Sequence, residues 1–342
     1  MISDDLLLEV KELKTYFFLR EGVVRAVDGV TFTIRRGQTL GIIGESGCGK
    51  SVTAQSILRI TPSPPARIVE GEILLYTNDA PAQGEQVVDL AALDPRGKAI
   101  RKVRGKAVSM IFQEPMTSFG PLNTIGDQLI ETILLHQVAA NRRAARALAT
   151  ELLSKVGIPR PDRIVDSYPH QLSGGMRQRA MIAMALSCNP NLLIADEPTT
   201  ALDVTIQAQI LDLLRSLRSE YGMAMIFITH SLGVIAEIAD EVAVMYLGKI
   251  VEQAPVEKIF YHPKHPYTQA LLKSVPRIDH KGGARLLAIA GIVPDPFDTP
   301  PGCAFCNRCS HFMPGVCDVQ APALLPVEQD HWVRCFLYPP SA

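Results

Sequence analysis

The stretch Gly44-Glu-Ser-Gly-Cys-Gly-Lys50-Ser51 decides how this sequence folds. It matches G-x-x-x-x-G-K-[ST], follows the apolar run Leu40–Ile43 and precedes a helix-compatible segment, Ser51–Arg59. A strand, a glycine-rich loop and a helix in this order predict a phosphate-binding loop, because successive backbone N–H groups converge on phosphate oxygens at the positive end of the helix. In this motif Lys50 reaches the β- and γ-phosphates of a nucleotide, and Ser51 binds Mg²⁺. The candidate ligand-binding residues are Gly44, Glu45, Ser46, Gly47, Cys48, Gly49, Lys50 and Ser51.

Around this loop, segments of strand length alternate with helical patterns up to about residue 250. The predicted strands are Leu40–Ile43, Leu192–Ala195, Met225–Thr229 and Val242–Tyr246. Helical stripes run over residues 144–156 and 206–217, with Gly222 as the expected end of the second helix. This alternation predicts an α/β fold with a mainly parallel sheet.

Two other segments have a composition typical of irregular structure. The polar stretch Thr77–Gly105 predicts a loop-rich hairpin region. A semi-rigid linker is predicted from Pro276, Pro294, Pro296, Pro300 and Pro301.

The composition excludes several classes of protein. Of 342 residues, 47% are hydrophobic and 20% are charged, so the chain can bury a large core and does not resemble a disordered protein. The 34 Lys and Arg residues balance 35 Asp and Glu residues, so the chain has no overall positive charge that would favour binding of nucleic acid. The apolar runs have strand length, and acidic residues stand where a secretory signal carries basic ones. We therefore expect a cytoplasmic chain without a membrane-spanning helix.

An acidic pair, Asp196 and Glu197, ends the predicted strand Leu192–Ala195. In a chain with a phosphate-binding loop, Asp196 has the position of the acid that holds Mg²⁺ in P-loop NTPases. Glu197, one residue further, is placed to accept a proton from attacking water. Adjacent acids at a strand end are by themselves more often a solvated turn, and the phosphate-binding loop reverses that preference.

The segment Leu172-Ser-Gly-Gly-Met-Arg-Gln-Arg179 resembles the signature motif of ABC-type ATPases and lies between the phosphate-binding loop and the acidic pair. Ser173 is a favourable helix N-cap, and Gly174 and Gly175 allow close approach of a ligand. The resemblance implies a P-loop NTPase cassette with a helical subdomain, over about residues 114–185, that binds ATP and Mg²⁺. It also implies a head-to-tail dimer in which each signature motif covers the γ-phosphate bound by the partner's loop.

The same resemblance implies further roles. Gln113 is similar to the Q-loop glutamine that contacts Mg²⁺ and water, and Asp203 lies in a D-loop-like segment. His230 is similar to the switch histidine that senses the γ-phosphate, and Glu197 is the expected general base. Phe17 is the expected aromatic partner of adenine, although its neighbours Tyr16 and Phe18 remain alternatives.

Three stretches indicate a branch of this family. Phe112–Ser118, Asp166–Ser173 and His262–Thr268 resemble the corresponding regions of peptide and nickel importer ATPases, closest to a dipeptide/oligopeptide permease. The resemblance implies a peripheral subunit on the cytoplasmic face of the inner membrane. Its expected partners are two transmembrane permease subunits, a sister ATPase in a heterodimer or a second copy, and indirectly an extracytoplasmic binding protein. Peptides, nickel chelates, glutathione and small glycans remain open as cargo.

The predicted domains are a nucleotide-binding domain over residues 1–260 and a C-terminal extension over residues 261–342. Five of the seven cysteines lie in this extension, which indicates a metal or iron–sulfur site rather than a disulfide framework. The resemblance implies a [4Fe–4S] cluster held by Cys303, Cys309, Cys317 and Cys335, with Cys306 as an alternative ligand. Zinc, with cysteines or His311, and unligated thiols are the competing interpretations.

Two other functions are compatible with an ABC-type cassette. One is a soluble ATPase acting on nucleic acid or in translation, and the other is a regulatory metal module that binds nucleotide without cleaving it. The span from Gly44 to Ser173 has room for a helical subdomain but not for a long coiled coil, which argues against a repair enzyme. Glu197 and His230 argue against a loss of hydrolysis.

Overall fold

The computed structural model describes residues 5–77, 86–114, 118–200, 202–274, 289 and 291–338. The strands, in chain order, are β1 (Leu6–Phe18), β2 (Val23–Arg35), β3 (Thr39–Ile43), β4 (Ala66–Thr77), β5 (Gln86–Asp89), β6 (Val108–Ile111), β7 (Leu192–Asp196), β8 (Ala224–Ile228), β9 (Glu241–Tyr246), β10 (Lys249–Pro255), β11 (Leu325–Glu328) and β12 (His331–Val333).

The α-helices are α1 (Lys50–Ile57), α2 (Lys98–Val103), α3 (Ile125–Leu135), α4 (Arg142–Lys155), α5 (Pro161–Ile164), α6 (Gly174–Leu186), α7 (Val204–Tyr221), α8 (Leu232–Ile238), α9 (Val256–Tyr261) and α10 (Pro266–Lys273). Short 3₁₀ helices cover Pro169–Gln171 and Cys306–Arg308.

The chain divides into two compact units. The first comprises the described parts of residues 1–7, 34–38 and 92–228, and the second those of residues 8–33, 39–91 and 229–342.

In the first unit, β6, β7 and β8 form parallel pairs, with β7 in the middle. Every residue of β7 and β8 is buried, which explains their continuous apolar sequences. Helices α3, α4 and α6 pack against one another, and α6 also packs against β6. Because β6 and β7 are parallel, Gln113 and Glu197, which follow them, leave the sheet at the same edge.

In the second unit, β2, β1, β4 and β5 form a sheet in that order, and β3 pairs with β9 in parallel. β9, β10, β12 and β11 continue from β3 through antiparallel pairs. The phosphate-binding loop joins β3 to α1. The hydroxyl of Thr15 on β1 lies 2.9 Å from that of Ser56 on α1, so β1 contacts the helix that follows the loop.

The strands and helices predicted from periodicity are confirmed to within one or two residues at most ends. Helix α7 ends at Gly222, which has the left-handed conformation expected of a C-cap (φ 61°). Strands β1 and β2 of the second unit were not predicted, because they are half exposed and lack the continuous apolar runs of buried strands.

The predicted hairpin region Thr77–Gly105 contains β5 and the short helix α2. Its residues 78–85 lie outside the described residues, as does Pro276 of the predicted linker. Within the described ranges, no helix combines the length and the apolarity needed to span a bilayer.

Candidate nucleotide site

The phosphate-binding loop wraps tightly around its own lysine. The Nζ atom of Lys50 donates hydrogen bonds to the carbonyl oxygens of Gly44 (2.9 Å) and Glu45 (3.0 Å), and Lys50 is only 6% exposed. Two glycines are sterically required. A Cβ on Gly44 (φ 155°) would lie 2.2 Å from the carbonyl oxygen of Met245, and one on Gly49 (φ 103°) would lie 2.1 Å from that of Ala26. The loop therefore has the compact backbone that phosphate binding requires.

Cys48 contributes to this loop through its backbone. Its carbonyl oxygen accepts a hydrogen bond from the N–H of Gly248 (2.9 Å). Its side chain is 3% exposed, and burial raises the pKa of the thiol. Cys48 is therefore a packed neutral thiol rather than a reactive thiolate.

The aromatic residues at the end of β1 point to opposite faces of the strand. Thr15 faces α1 through its contact with Ser56, and side chains alternate along a strand, so Phe17 lies on the same face as α1. Tyr16 lies on the other face, where its hydroxyl donates to the carboxylate of Asp28 (2.6 Å). Burial and this hydrogen bond raise the pKa of Tyr16 to about 12.

In the first unit, Glu197 is held by two side chains. Both the amide Nε2 of Gln113 (3.1 Å) and the hydroxyl of Thr200 (2.9 Å) donate to its Oε2 atom. Glu197 itself has a left-handed backbone (φ 47°), and its N–H donates to the carbonyl oxygen of Ile228 (2.9 Å). A non-glycine residue in this conformation is uncommon and is typical of functional sites.

Asp196 precedes Glu197 as the last residue of β7. It is 3% exposed and pairs in register with Ile228 on β8. A nearly buried carboxylate at the end of a parallel strand is suited to hold a hydrated cation.

His230 belongs to the second unit and is exposed. Its chain neighbours are ordered, because the N–H of Thr229 donates to the carbonyl oxygen of Ile42 (3.4 Å) and that of Ser231 donates to the hydroxyl of Thr229 (3.1 Å).

The signature segment forms the exposed N-terminus of α6. Ser173 is the N-cap, and its hydroxyl accepts a hydrogen bond from the N–H of Met176 (3.3 Å). Apart from its chain neighbours and the backbone of its own helix, no described atom lies within 4 Å of the Cβ position of Gly174, whereas that of Gly175 is 3.1 Å from Ile206. The helix therefore presents a capped, open N-terminus. Asp203 caps α7 in the same way, accepting from the N–H of Ile206 (2.9 Å).

The structure thus brings Gln113 and Glu197 into contact within the first unit, which also contains Ser173, Gly174, Gly175, Asp196 and Asp203. The phosphate-binding loop, Phe17 and His230 belong to the second unit.

Comparison with models of known protein families identifies the family of this chain. The family model described as ABC transporter matches residues 27–200, just over half of the chain. The chain belongs to the ABC transporter family. A second model, the C-terminal region of oligopeptide/dipeptide transporters, matches residues 251–317 of this ABC protein.

Relatives match this ABC protein over nearly its whole length. The oligopeptide transport ATP-binding protein AppD of Bacillus subtilis is 49% identical and is covered over 97% of both chains. From the same organism, the oligopeptide transport protein OppD is 48% identical, over 100% of this chain and 92% of its own. The dipeptide transport protein DppD is 49% identical, over 96% and 94%.

Solved structures show the same cassette fold. A dimeric ATP-binding cassette bound to ADP and Pi superposes with a TM-score of 0.62 at 26% identity, covering 73% of this chain and 98% of the other. A cassette of a Clostridium perfringens ABC transporter complex gives 0.60 at 25% identity, over 76% and 92%. The protein is therefore an ABC-type ATPase with a P-loop NTPase fold.

The cysteine-rich segment is compact. The N–H of Cys303 donates to the carbonyl oxygen of Cys317 (2.7 Å). Burial raises the pKa of Cys303 to about 12, and the neighbouring Cys335, Cys317 and Cys306 add to this shift. Burial also raises the pKa of Cys306, Cys309 and Cys335. Across the part of the chain that the structure describes, however, no three His, Cys, Asp or Glu side chains are arranged to hold a metal ion. Thiolates are the usual ligands of an iron–sulfur cluster, so these thiols suit one chemically, and the cluster stays a prediction.

Three residues that contact the candidate site were missed from the sequence. Thr200 lies three residues after Glu197, a spacing that places its hydroxyl beside the carboxylate. Tyr267 lies in the stretch His262–Thr268, which indicates only a family resemblance. Arg308 lies between Cys306 and Cys309, and the cysteine pattern does not indicate a contact between this arginine and the loop. Both contact Glu45 of the phosphate-binding loop.

Proposed function

We propose that this protein is the ATP-hydrolysing subunit of an ABC importer that takes up dipeptides or oligopeptides. The observation that carries the proposal is that full-length relatives at 48–49% identity are named as oligopeptide or dipeptide transport ATP-binding proteins. The match to the C-terminal region of this transporter class supports the same substrate class. Neither supports an ATPase that acts on nucleic acid or a regulatory metal module.

For ATP binding, we infer that the amides of residues 44–51 and the ammonium of Lys50 contact the phosphates. The tight turn at Gly44 and Gly49 and the position of Lys50 along the loop support this inference. Phe17, on the face of β1 that contacts α1, is the proposed adenine partner, because the hydroxyl of Tyr16 is committed to Asp28.

For hydrolysis, we infer that Glu197 is the general base and that Gln113 and Thr200 orient its carboxylate. The two hydrogen bonds to Oε2 and the left-handed backbone support this role. Ser51, Gln113 and Asp196 offer the oxygen atoms that Mg²⁺ prefers. The ion, when bound, neutralises charge on the β- and γ-phosphates. His230 is the proposed γ-phosphate sensor.

We infer further that the signature segment acts on the nucleotide of a second cassette. The exposed N-terminus of α6 and the open space at Gly174 support this inference, and a similar cassette is dimeric. The second cassette is a sister ATPase or another copy of this chain, and Asp203 lies in the segment expected at that contact. Two permease subunits and, indirectly, an extracytoplasmic binding protein complete the assembly on the cytoplasmic face of the inner membrane. Residues 1–260 form the nucleotide-binding domain in this proposal, and residues 261–342 the extension.

We propose separately that the extension binds a [4Fe–4S] cluster through Cys303, Cys309, Cys317 and Cys335, with Cys306 as the alternative ligand. The five clustered cysteines support this proposal. Protein purified without oxygen should contain about four iron and four sulfide per chain. Zinc without sulfide, or no metal, would contradict it.

The transport function is tested by coexpressing the chain with candidate permease subunits from its own genome. The permease should copurify, and binding protein loaded with a dipeptide should stimulate ATP hydrolysis. The Lys50→Ala variant controls for other ATPases. No association with the permease, together with stimulation by DNA, would contradict the proposal.

A further inference from the structure

The cysteine-rich extension makes a direct ionic contact with the phosphate-binding loop. The guanidinium of Arg308 donates from Nη1 to Oε2 of Glu45 (2.6 Å) and from Nη2 to Oε1 (3.0 Å). The Arg308 side chain is 3% exposed and that of Glu45 is 24% exposed. A bidentate contact between a guanidinium and a carboxylate fixes the orientation of the two groups as well as the distance between them.

Aromatic rings hold Arg308 in place. Its Cζ atom lies 5.8 Å from the ring centroid of Tyr246 and 5.9 Å from that of Phe305. The Tyr246 hydroxyl also accepts a hydrogen bond from Nη1 (3.3 Å). Tyr246, Phe305 and Tyr267 form a buried cluster, with centroids 4.7 to 5.3 Å apart. The guanidinium is therefore fixed before nucleotide arrives, with its charge directed at Glu45.

A second residue of the extension holds the backbone at the same position. The N–H of Glu45 donates to the hydroxyl of Tyr267 (2.9 Å), and Tyr267 is fully buried. This hydrogen bond ties the backbone of Glu45 to the extension. The carbonyl oxygen of Glu45 in turn accepts from Nζ of Lys50 (3.0 Å). Any displacement of Glu45 therefore reaches the lysine that is proposed to bind phosphate.

The ionic contact between Arg308 and Glu45 also changes the charge of the phosphate-binding loop. Glu45 lies in the loop that is proposed to bind a polyanion, and an uncompensated carboxylate there would oppose nucleotide binding. Arg308 neutralises this carboxylate from the side of the extension. A contact that only tethered the extension would instead affect the stability of the fold and leave the ATP affinity of the folded protein unchanged.

We propose that Arg308 and Tyr267 are positioning residues for ATP binding. Both residues hold Glu45 in place, and Arg308 also neutralises its carboxylate. This proposal rests on the proposed function of the loop as an ATP site. It assigns to the C-terminal region a task in the nucleotide site itself.

The test measures the ATP dissociation constant, the turnover at saturating ATP and the melting temperature for the full chain and its variants. Arg308→Gln should weaken ATP binding about tenfold, the effect expected from losing a charged hydrogen bond, while turnover at saturating ATP changes less than about twofold. Arg308→Lys should recover part of the affinity. Adding Glu45→Gln to Arg308→Gln should also recover part of it, because the uncompensated charge is then absent.

The matched control is Arg146→Gln. Arg146 makes the same two-pronged contact with Asp166, with both distances 2.7 Å, but on the surface, where the side chains are 47% and 61% exposed. Its ATP affinity should equal that of the wild type.

An unchanged ATP affinity for Arg308→Gln, with only a lower melting temperature, would overturn the proposal in favour of a simple tether. If Arg308→Gln does not fold, Tyr267→Phe serves instead, because it removes only the hydroxyl that accepts from Glu45. Its ATP affinity should fall about threefold or more, and wild-type affinity would overturn the proposal. Failure of the proposed function is distinct, because wild-type protein would then bind ATP no better than Lys50→Ala.

Discussion

The hydroxyl of Thr200 offers a direct test of how Glu197 is oriented for catalysis. Thr200→Val keeps the shape of the side chain and removes the hydroxyl that donates to Oε2 at 2.9 Å, while the amide of Gln113, at 3.1 Å, is kept. The carboxylate can then rotate away from the geometry in which it accepts a proton from water. ATP binding does not depend on this contact and should be unchanged.

The size of the effect follows from the environment of the bond. A hydrogen bond to a charged group contributes about 1.5–3 kcal/mol when buried. Thr200 is exposed, so water can replace much of the contact. We therefore expect a loss below this range, about 1 kcal/mol in the barrier, or roughly fivefold in turnover.

The assay is steady-state phosphate release by the transporter complex, with the ATP dissociation constant measured in parallel. Thr200→Ser, which keeps the donor, should retain most of the turnover. Thr150→Val is the matched control, because the hydroxyl of Thr150 donates to the backbone oxygen of Arg146 (3.0 Å) and not to a carboxylate. Turnover of Thr200→Val equal to that of Thr150→Val would refute the role given to this contact.

Three further outcomes are expected. Glu197→Gln should lower turnover by about 10²–10⁴-fold and trap an ATP-bound dimer on size-exclusion chromatography; normal turnover would reject Glu197 as the base. Gly49→Ala should abolish ATP binding in an equilibrium titration, because its Cβ would lie 2.1 Å from the carbonyl oxygen of Ala26, and intact binding would show that the loop can relax. Burial lowers the pKa of His265 from 6.5 to about 4, so as the pH falls the unfolded chain takes up a proton on this residue before the folded chain does. The stability that depends on a neutral His265 is therefore complete above pH 6.5 and is lost as the pH falls towards 4. Melting temperatures measured from pH 8 to 4.5 should fall below pH 6.5, and less steeply for His265→Gln; identical slopes would exclude this residue.

Much of the fold could be predicted because buried parallel strands leave a clear mark in the sequence. β7 and β8 are buried along their whole length, so their apolar runs located them almost to the residue. The end of α7 at Gly222 followed from the preference of glycine for the left-handed conformation. In contrast, β1 alternates buried and partly exposed residues and has an irregular register with β4, which blurs the period-two signal.

In the candidate site, residues that belong to contiguous motifs could be predicted from the sequence, whereas contacts between residues far apart in the chain could not. The loop at Gly44–Ser51 and the two acids at the end of β7 are contiguous motifs, and each indicates its chemistry from local sequence alone. The contact between Arg308 and Glu45 joins residues 263 positions apart, and neither residue belongs to a pattern that names the other. Periodicity and motif spacing describe neighbours along the chain, so such a pair emerges only from tertiary structure.

We infer that ATP is cleaved only when a second cassette supplies its signature segment. ATP turnover per chain, measured across a dilution series with the association state determined at each concentration by analytical ultracentrifugation, tests it most directly. Turnover should rise and fall with the fraction of paired cassettes and vanish where only single chains are present. Undiminished turnover by single chains would contradict the claim.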